Sequence, residues 1–284
     1  MAVAHPTEDE QSKLWNGPAG HAWVDEQALL DQMFQPFEDL LVEAVAAGAA
    51  SHVLDIGCGT GSTTLAVARR LGAKGRSVGI DLSEPMITAA RARAARETTP
   101  ASFLRDSAQT HAFEPASFDM LISRFGVMFF DDPVQAFVNL RRAAKPDAAC
   151  RFIAWRSAAD NPFMTTAERA AAPLLPNLPV RRPDAPTGQF AFADPRRVSA
   201  LLSQSGWAEI DIQPIDVACT LPASELVRYL TRLGPVGLIL QQVDDRTRAQ
   251  VLETVRAAFE PYVHGADVRF SAACWSIGAR APRA

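Results

Sequence analysis

The chain has 284 residues, 48% of them apolar, with 28 basic against 32 acidic side chains and a formal charge of −4. Lys and Arg are spread thinly, which argues against a nucleic-acid partner, because duplex affinity rests mostly on phosphate neutralisation. No stretch reaches the ~18–20 unbroken apolar residues of a membrane span, and the opening lacks the apolar core of a signal peptide, so a cytoplasmic protein is expected. Cys58, Cys150, Cys219 and Cys274 lie far apart, with no CxxC and no His at ligand spacing, and read as small buried apolar residues rather than a metal site or disulfide framework.

After the polar start, Leu29, Leu30, Met33, Phe34, Phe37, Leu40, Leu41, Ala44 and Val45 recur at three- and four-residue spacings and predict an amphipathic helix over 27–47, kinked or split at Pro36. Short apolar runs at 52–56, 77–81, 102–105, 118–123 and 150–155 then alternate with helical patterns at 60–71, 84–96 and 133–144. Parallel strands need crossover connections, so this alternation predicts an α/β fold, a mostly parallel sheet with helices on both faces. A helix over 194–205, N-capped by Asp194 before Pro195, and strands over 208–220 and 267–277 bring the count to seven strands.

Two stretches break the rhythm. Seven prolines between Asn161 and Pro195 predict an irregular insertion, and 222–264 is helical by pattern between the last two strands. Both read as a cap over the ligand-binding edge, which gives a helical segment over 1–50 and a main domain over 51–284 carrying cap insertions at about 157–194 and 222–265.

The run Val53-Leu54-Asp55-Ile56-Gly57-Cys58-Gly59-Thr60-Gly61 leads from a strand into a helix. Glycine permits positive φ and lets a ligand approach the backbone, while the helix start offers unpaired N–H groups. Asp81 ends the next strand, twenty residues past Gly61, where an acid accepts both hydrogen bonds of a ribose diol. A dinucleotide fingerprint is spaced GxGxxG, whereas this loop is GxGxG with an acid two positions ahead. That acid would repel a pyrophosphate but suits a ligand carrying an ammonium group.

The pattern acid-x-Gly-x-Gly-x-Gly resembles the first motif of the class I S-adenosylmethionine-dependent methyltransferases, most similar to bacterial small-molecule enzymes of the ubiquinone/menaquinone-biosynthesis type. The resemblance implies a Rossmann-like seven-stranded sheet in the order 3-2-1-4-5-7-6, strand seven antiparallel, with S-adenosyl-L-methionine as cofactor. It places Asp55, Gly57, Cys58, Gly59, Gly61 and Met86 at the cofactor, Asp81 with Leu82 at its ribose, Asp106-Ser107-Ala108 at its adenine, and Ser123-Arg124 beside its methionine moiety. A nicotinamide-dependent oxidoreductase on a similar sheet, or a binder of the cofactor without transfer activity, are the alternatives.

Several residues admit two roles. Trp15 and Trp23 flank a Gly/Pro-rich turn, and their indole faces suit a sulfonium or an adenine as well as they suit stapling the first helix to the sheet. His21, between them, is the one candidate general base, against a surface role. Phe125, Met128 and Phe129 after the fourth strand, with Trp155, Asn161 and Phe163 at the end of the fifth, line an apolar acceptor pocket or belong to plain core. Tyr229, Tyr262 and His264 are weaker candidates in the cap. The acceptor expected is a neutral or weakly charged small molecule, with no metal.

Overall fold

The computed structural model describes residues 8–48, 50–179 and 185–283. Helices α1 (Glu8–Asn16), α2 (Pro18–Asp25) and α3 (Gln27–Ala47) precede the sheet. The stretch expected as a Gly/Pro-rich turn is therefore almost wholly helical: Gly17 separates α1 from α2, and Pro18 stands in the first turn of α2, where its missing N–H costs nothing. Nor does Pro36 divide α3. The helix runs on through it with Met33, Phe34, Phe37 and Leu41 buried on either side, so core burial offsets the lost backbone bond.

The expected alternation follows: β1 (His52–Ile56), α4 (Ser62–Leu71), β2 (Arg76–Asp81), α5 (Glu84–Glu97), β3 (Ala101–Arg105), β4 (Phe118–Arg124), α6 (Pro133–Ala143) and β5 (Ala144–Trp155). Strand β5 begins six residues before the expected 150 because pairing with β4 continues through a register shift across Lys145-Pro146-Asp147, a triplet that reads locally as a turn. Beyond β5 come α7 (Pro162–Ala171), α8 (Pro195–Gln204), β6 (Ala208–Pro222), α9 (Leu226–Arg232), α10 (Gly234–Leu240), α11 (Asp245–Ala258), β7 (Val263–His264) and β8 (Asp267–Arg280). The insertion expected to be irregular opens with a regular helix, α7, and Pro183 within it lies outside the described residues. Asp194 caps α8 as expected, its carboxylate accepting from Arg196 N–H.

The sheet order is β3-β2-β1-β4-β5-β8-β6, with β8 antiparallel to both β5 and β6, which is the expected order. The two-residue β7 adds an eighth strand, pairing with β8 across the turn at Gly265. Strands β1 and β4 pair in parallel at the point where the order reverses, and there the carboxyl ends of parallel strands open a crevice. Leu54, Ile56, Ile80, Leu121 and Phe152 are fully buried, with α3 and α4 packed together on the sheet and α6 packed with α8. All four cysteines are buried and free. No helix among the described residues is long and apolar enough to cross a membrane.

Candidate functional site

The turns after β1, β2, β3 and β4, with Trp155 at the end of β5, contribute to one cavity of about 550 Å³. In the turn after β1, Gly57, Gly59 and Gly61 have φ of +67°, +54° and +85°, the left-handed region in which a side chain is strained. A Cβ on Gly57 would lie 2.6 Å from the Gly126 Cα, so the β1 and β4 turns touch backbone to backbone at the switch point. Ser123 Oγ secures that contact, donating to the Ile56 carbonyl at 2.7 Å and accepting from the N–H groups of Gly126 and Val127. It is thus turned into the backbone and does not line the cavity.

Asp81 lines the cavity at the end of β2. One carboxylate oxygen accepts from Gly59 N–H and the other from Ser83 N–H, both at 2.9 Å; burial nevertheless raises its pKa. Asp106, just past β3, accepts from His111 Nδ1 at 2.6 Å and from Ser107 N–H. Burial opposes its charge, but these bonds outweigh it and hold the carboxyl below its ordinary value. Leu82, Met86, Ser107 and Ala108 complete this end of the cavity.

Asp55 is fully buried beneath the turn and accepts from Thr64 Oγ1 at 2.6 Å. Burial pushes its pKa up to about 6, against the Thr64 hydrogen bond and the positive charge of Arg124; the carboxylates of Asp81 and Glu38 add to the rise. Asp55 and Cys58 open onto a smaller adjoining space that shares Gly57, Gly59 and Arg124 with the main cavity. Gly61 lines neither and instead starts α4.

Trp15 and Trp23 meet edge to face at 6.0 Å, Trp15 meets Phe129 at 5.3 Å, and all three face the cavity. Ser83 Oγ donates to the Trp15 carbonyl, and Asn16 bonds both Leu82 and Glu84, so the end of α1 is docked on the β2–α5 turn. His21 is exposed, donates Nδ1 to the carbonyl of Gly17, the residue just before its helix, and does not face the cavity.

The other end of the cavity is aromatic. Phe125, a non-glycine residue at φ +66°, stacks on Trp155 at 4.5 Å and 14°, and Met128 Sδ accepts from Trp155 N–H. Backbone strain of this kind persists only where surrounding contacts over-determine it. Phe163 lies on the cavity wall, stacked on Phe270 at 3.8 Å. Asn161, expected beside it, is not part of the wall: its amide brackets Ala273, donating to the carbonyl and accepting from the N–H, both at 2.9 Å. Tyr229 lines the cavity, whereas Tyr262 and His264 do not.

Sequence reading missed the parts of the wall without a motif. Met33 and Phe34 lie in the α3 stripe and read as core, although both also face the cavity. Met164, Leu233 and Val236 come from the cap, where only proximity in the fold shows their role.

Residues 53–147 match the family model for the methyltransferase domain. The sheet order and the glycine turn within those residues agree with that match. The core is a class I methyltransferase domain. The chain spans about half the length of several curated relatives it matches. Nocamycin O-methyltransferase of Saccharothrix syringae is 28% identical over 79% of this chain and 84% of its own. A demethylmenaquinone methyltransferase of Lactiplantibacillus plantarum is 35% identical over 34% of this chain and 42% of its own. Among solved structures, the [4+2]-cyclase SpnF shares the fold over 99% of this chain and 98% of its own, with a TM-score of 0.62 at 16% identity.

S-adenosylmethionine is the cofactor of this methyltransferase class, and the domain has the features that group demands. A carboxylate faces the cavity at the end of β2, side-chain-free backbone runs at Gly57 and Gly59, and a second carboxylate, Asp55, is buried where an ammonium group would compensate it. The nicotinamide reading has no support in the matched family.

Proposed function

We propose that the protein transfers a methyl group from S-adenosylmethionine to a small, mostly apolar acceptor carrying a ring. The observation that supports this most strongly is the continuity of the cavity, which joins the carboxylate end at Asp81 to the aromatic end at Phe125 and Trp155 without a dividing wall.

In this reading Asp81 takes the ribose diol, since each of its oxygens already accepts one backbone N–H and has a second lone pair for the ligand. Asp106, Ser107 and Ala108 border the adenine, with Leu82 and Met86 as its apolar flanks. Asp55 and Arg124 hold the charged methionine end, assisted by the backbone of Gly57, Cys58 and Gly59. Trp15, Trp23 and Phe129 cover the cofactor from the N-terminal side, which makes residues 1–50 a covering segment as far as they are described. The cofactor supplies a methyl on a sulfonium, already a good leaving group. Phe125, Met128, Trp155 and Phe163 present a flat apolar surface that orients the acceptor, and such positioning supplies ~7–11 kcal/mol of barrier reduction. The cap insertions at about 157–194 and 222–265 then select the acceptor.

Calorimetry with S-adenosylhomocysteine and with NAD, followed by turnover on a panel of phenols, quinols and amines, tests the reading. Micromolar S-adenosylhomocysteine binding with methylation of a panel member supports it. Binding without turnover across the panel would mean a silent binder, and NAD binding alone would overturn the assignment.

A further inference from the structure

The cap side of the cavity is mostly apolar, and one neutral hydroxyl stands within its apolar part. Phe163 and Met164 of α7, Leu230 of α9, and Leu233 and Val236 around α10 carry no hydrogen-bonding side chain stronger than a thioether. Tyr229 of α9 stands among them, its ring 6.0 Å from Phe163. Its hydroxyl makes one hydrogen-bond contact among the described residues, to Met164 Sδ at 3.9 Å, and sulfur is a weak acceptor. A phenol hydroxyl held in such surroundings lacks the oxygen partner it would have in water. The other polar side chains on this side are Glu168 and Gln189, which hold partners, and Arg232, a cation in the last turn of α9 that a substitution at Tyr229 leaves in place.

We propose that the Tyr229 hydroxyl is the specificity-determining donor of the acceptor site, and that the acceptor carries a carbonyl or hydroxyl oxygen on a flat ring framework. The inference rests on the methyl-transfer reading for the word acceptor, but not for the binding chemistry. Burial raises the Tyr229 pKa, and the Cys219 thiol and the Glu168 carboxylate push the same way, so the group is a neutral phenol that donates a proton and does not remove one. An acceptor oxygen within reach replaces a poor sulfur contact by an O–H···O bond, whereas an all-carbon ligand of equal shape leaves the hydroxyl as it was. Discrimination is then strong in one direction, because a buried donor without a partner penalises the wrong ligand more than an apolar wall does.

Paired probes test this: 2-naphthol and 2-methylnaphthalene have nearly the same shape and differ by hydroxyl against methyl. Titrations are made on the full chain, with and without saturating S-adenosylhomocysteine. The expected result is about tenfold tighter binding of 2-naphthol, loss of that preference in Tyr229→Phe with 2-methylnaphthalene affinity unchanged, and retention of it in Tyr262→Phe. Equal affinity of the two probes in the unaltered protein, survival of the preference in Tyr229→Phe, or failure of both probes to bind at millimolar concentration overturns the proposal. If the preference behaves as expected while S-adenosylhomocysteine does not bind, the methyl-transfer reading falls and the Tyr229 site stands.

Discussion

Replacing Gly59 by alanine should cost the fold little and the cofactor much, whereas the same methyl at Gly57 should cost the fold itself. Both glycines have positive φ, at +54° and +67°, so each alanine carries a left-handed penalty of ~1–2 kcal/mol. Loss of glycine freedom in the unfolded chain returns ~0.4–1 kcal/mol of this in both. The surroundings separate them. A Cβ at Gly59 meets only Met86 Sδ, at an ordinary 3.6 Å, and otherwise faces the cavity. At Gly57 it would lie 2.6 Å from the Gly126 Cα, and two backbone segments pinned by Ser123 cannot yield as a flexible side chain would, which adds ~1–3 kcal/mol of overpacking. Urea unfolding should therefore show about 1 kcal/mol lost for Gly59→Ala and about 2–4 kcal/mol for Gly57→Ala. Calorimetry on the still-folded Gly59→Ala protein should show S-adenosylhomocysteine affinity reduced at least tenfold, because the new methyl occupies space the ligand needs. Equal destabilisation by the two substitutions would exclude the Gly57–Gly126 backbone contact as the cause, and unchanged affinity in Gly59→Ala would exclude Gly59 from the ligand's path.

Asp55→Asn should stabilise the unliganded protein above about pH 6. The folded-state pKa of Asp55, near 6, lies above its unfolded value, so the folded chain holds the proton more tightly and stability falls as pH rises from about 4 to 6. Asparagine keeps the Thr64 hydrogen bond without the charge, and the gain, on the order of 3 kcal/mol for two pKa units, is read from unfolding curves at pH 5 and pH 8; equal effects at both would remove the buried charge as the cause. The same substitution should weaken S-adenosylhomocysteine binding at pH 8. Asp81→Ala removes charge-assisted bonds to the ligand and should cost ~1.5–3 kcal/mol of affinity by calorimetry, with an unchanged value excluding Asp81 from the site. Asn161→Ala leaves the buried N–H of Ala273 without its side-chain partner, so a stability loss of ~1–3 kcal/mol is expected with S-adenosylhomocysteine affinity unaltered; reduced affinity would return Asn161 to the site.

The carboxylate end of the cavity was legible because the chemistry proposed for it needs particular residue types at fixed intervals along one chain segment. The spacing from Asp55 to Gly61 and on to Asp81 survives any rearrangement of the rest, since a strand, a tight turn and a helix leave the backbone little choice. The aromatic end had no such constraint. Phe125, Trp155, Phe163 and Tyr229 come from four separate segments, and the same aromatic residues would read identically as core. Ser123 and Asn161 show the converse error. A polar residue at the right place in the chain attracts a functional reading, yet both side chains are turned onto neighbouring backbone, where they satisfy buried N–H and C=O groups.

The amino-acid pattern alone sets the alternation of strands and helices and the glycine and acid spacing of the first two turns, and the sheet order follows from the resemblance. These are local properties, set by hydrophobic period, glycine and acid spacing within about thirty residues. Packing across the fold, by contrast, keeps Pro36 inside an unbroken helix and brings Tyr229 to the mostly apolar cap wall of the cavity. Each of these depends on what packs across the chain from a distant segment, and burial against such a neighbour outweighs the local preference that a sequence displays.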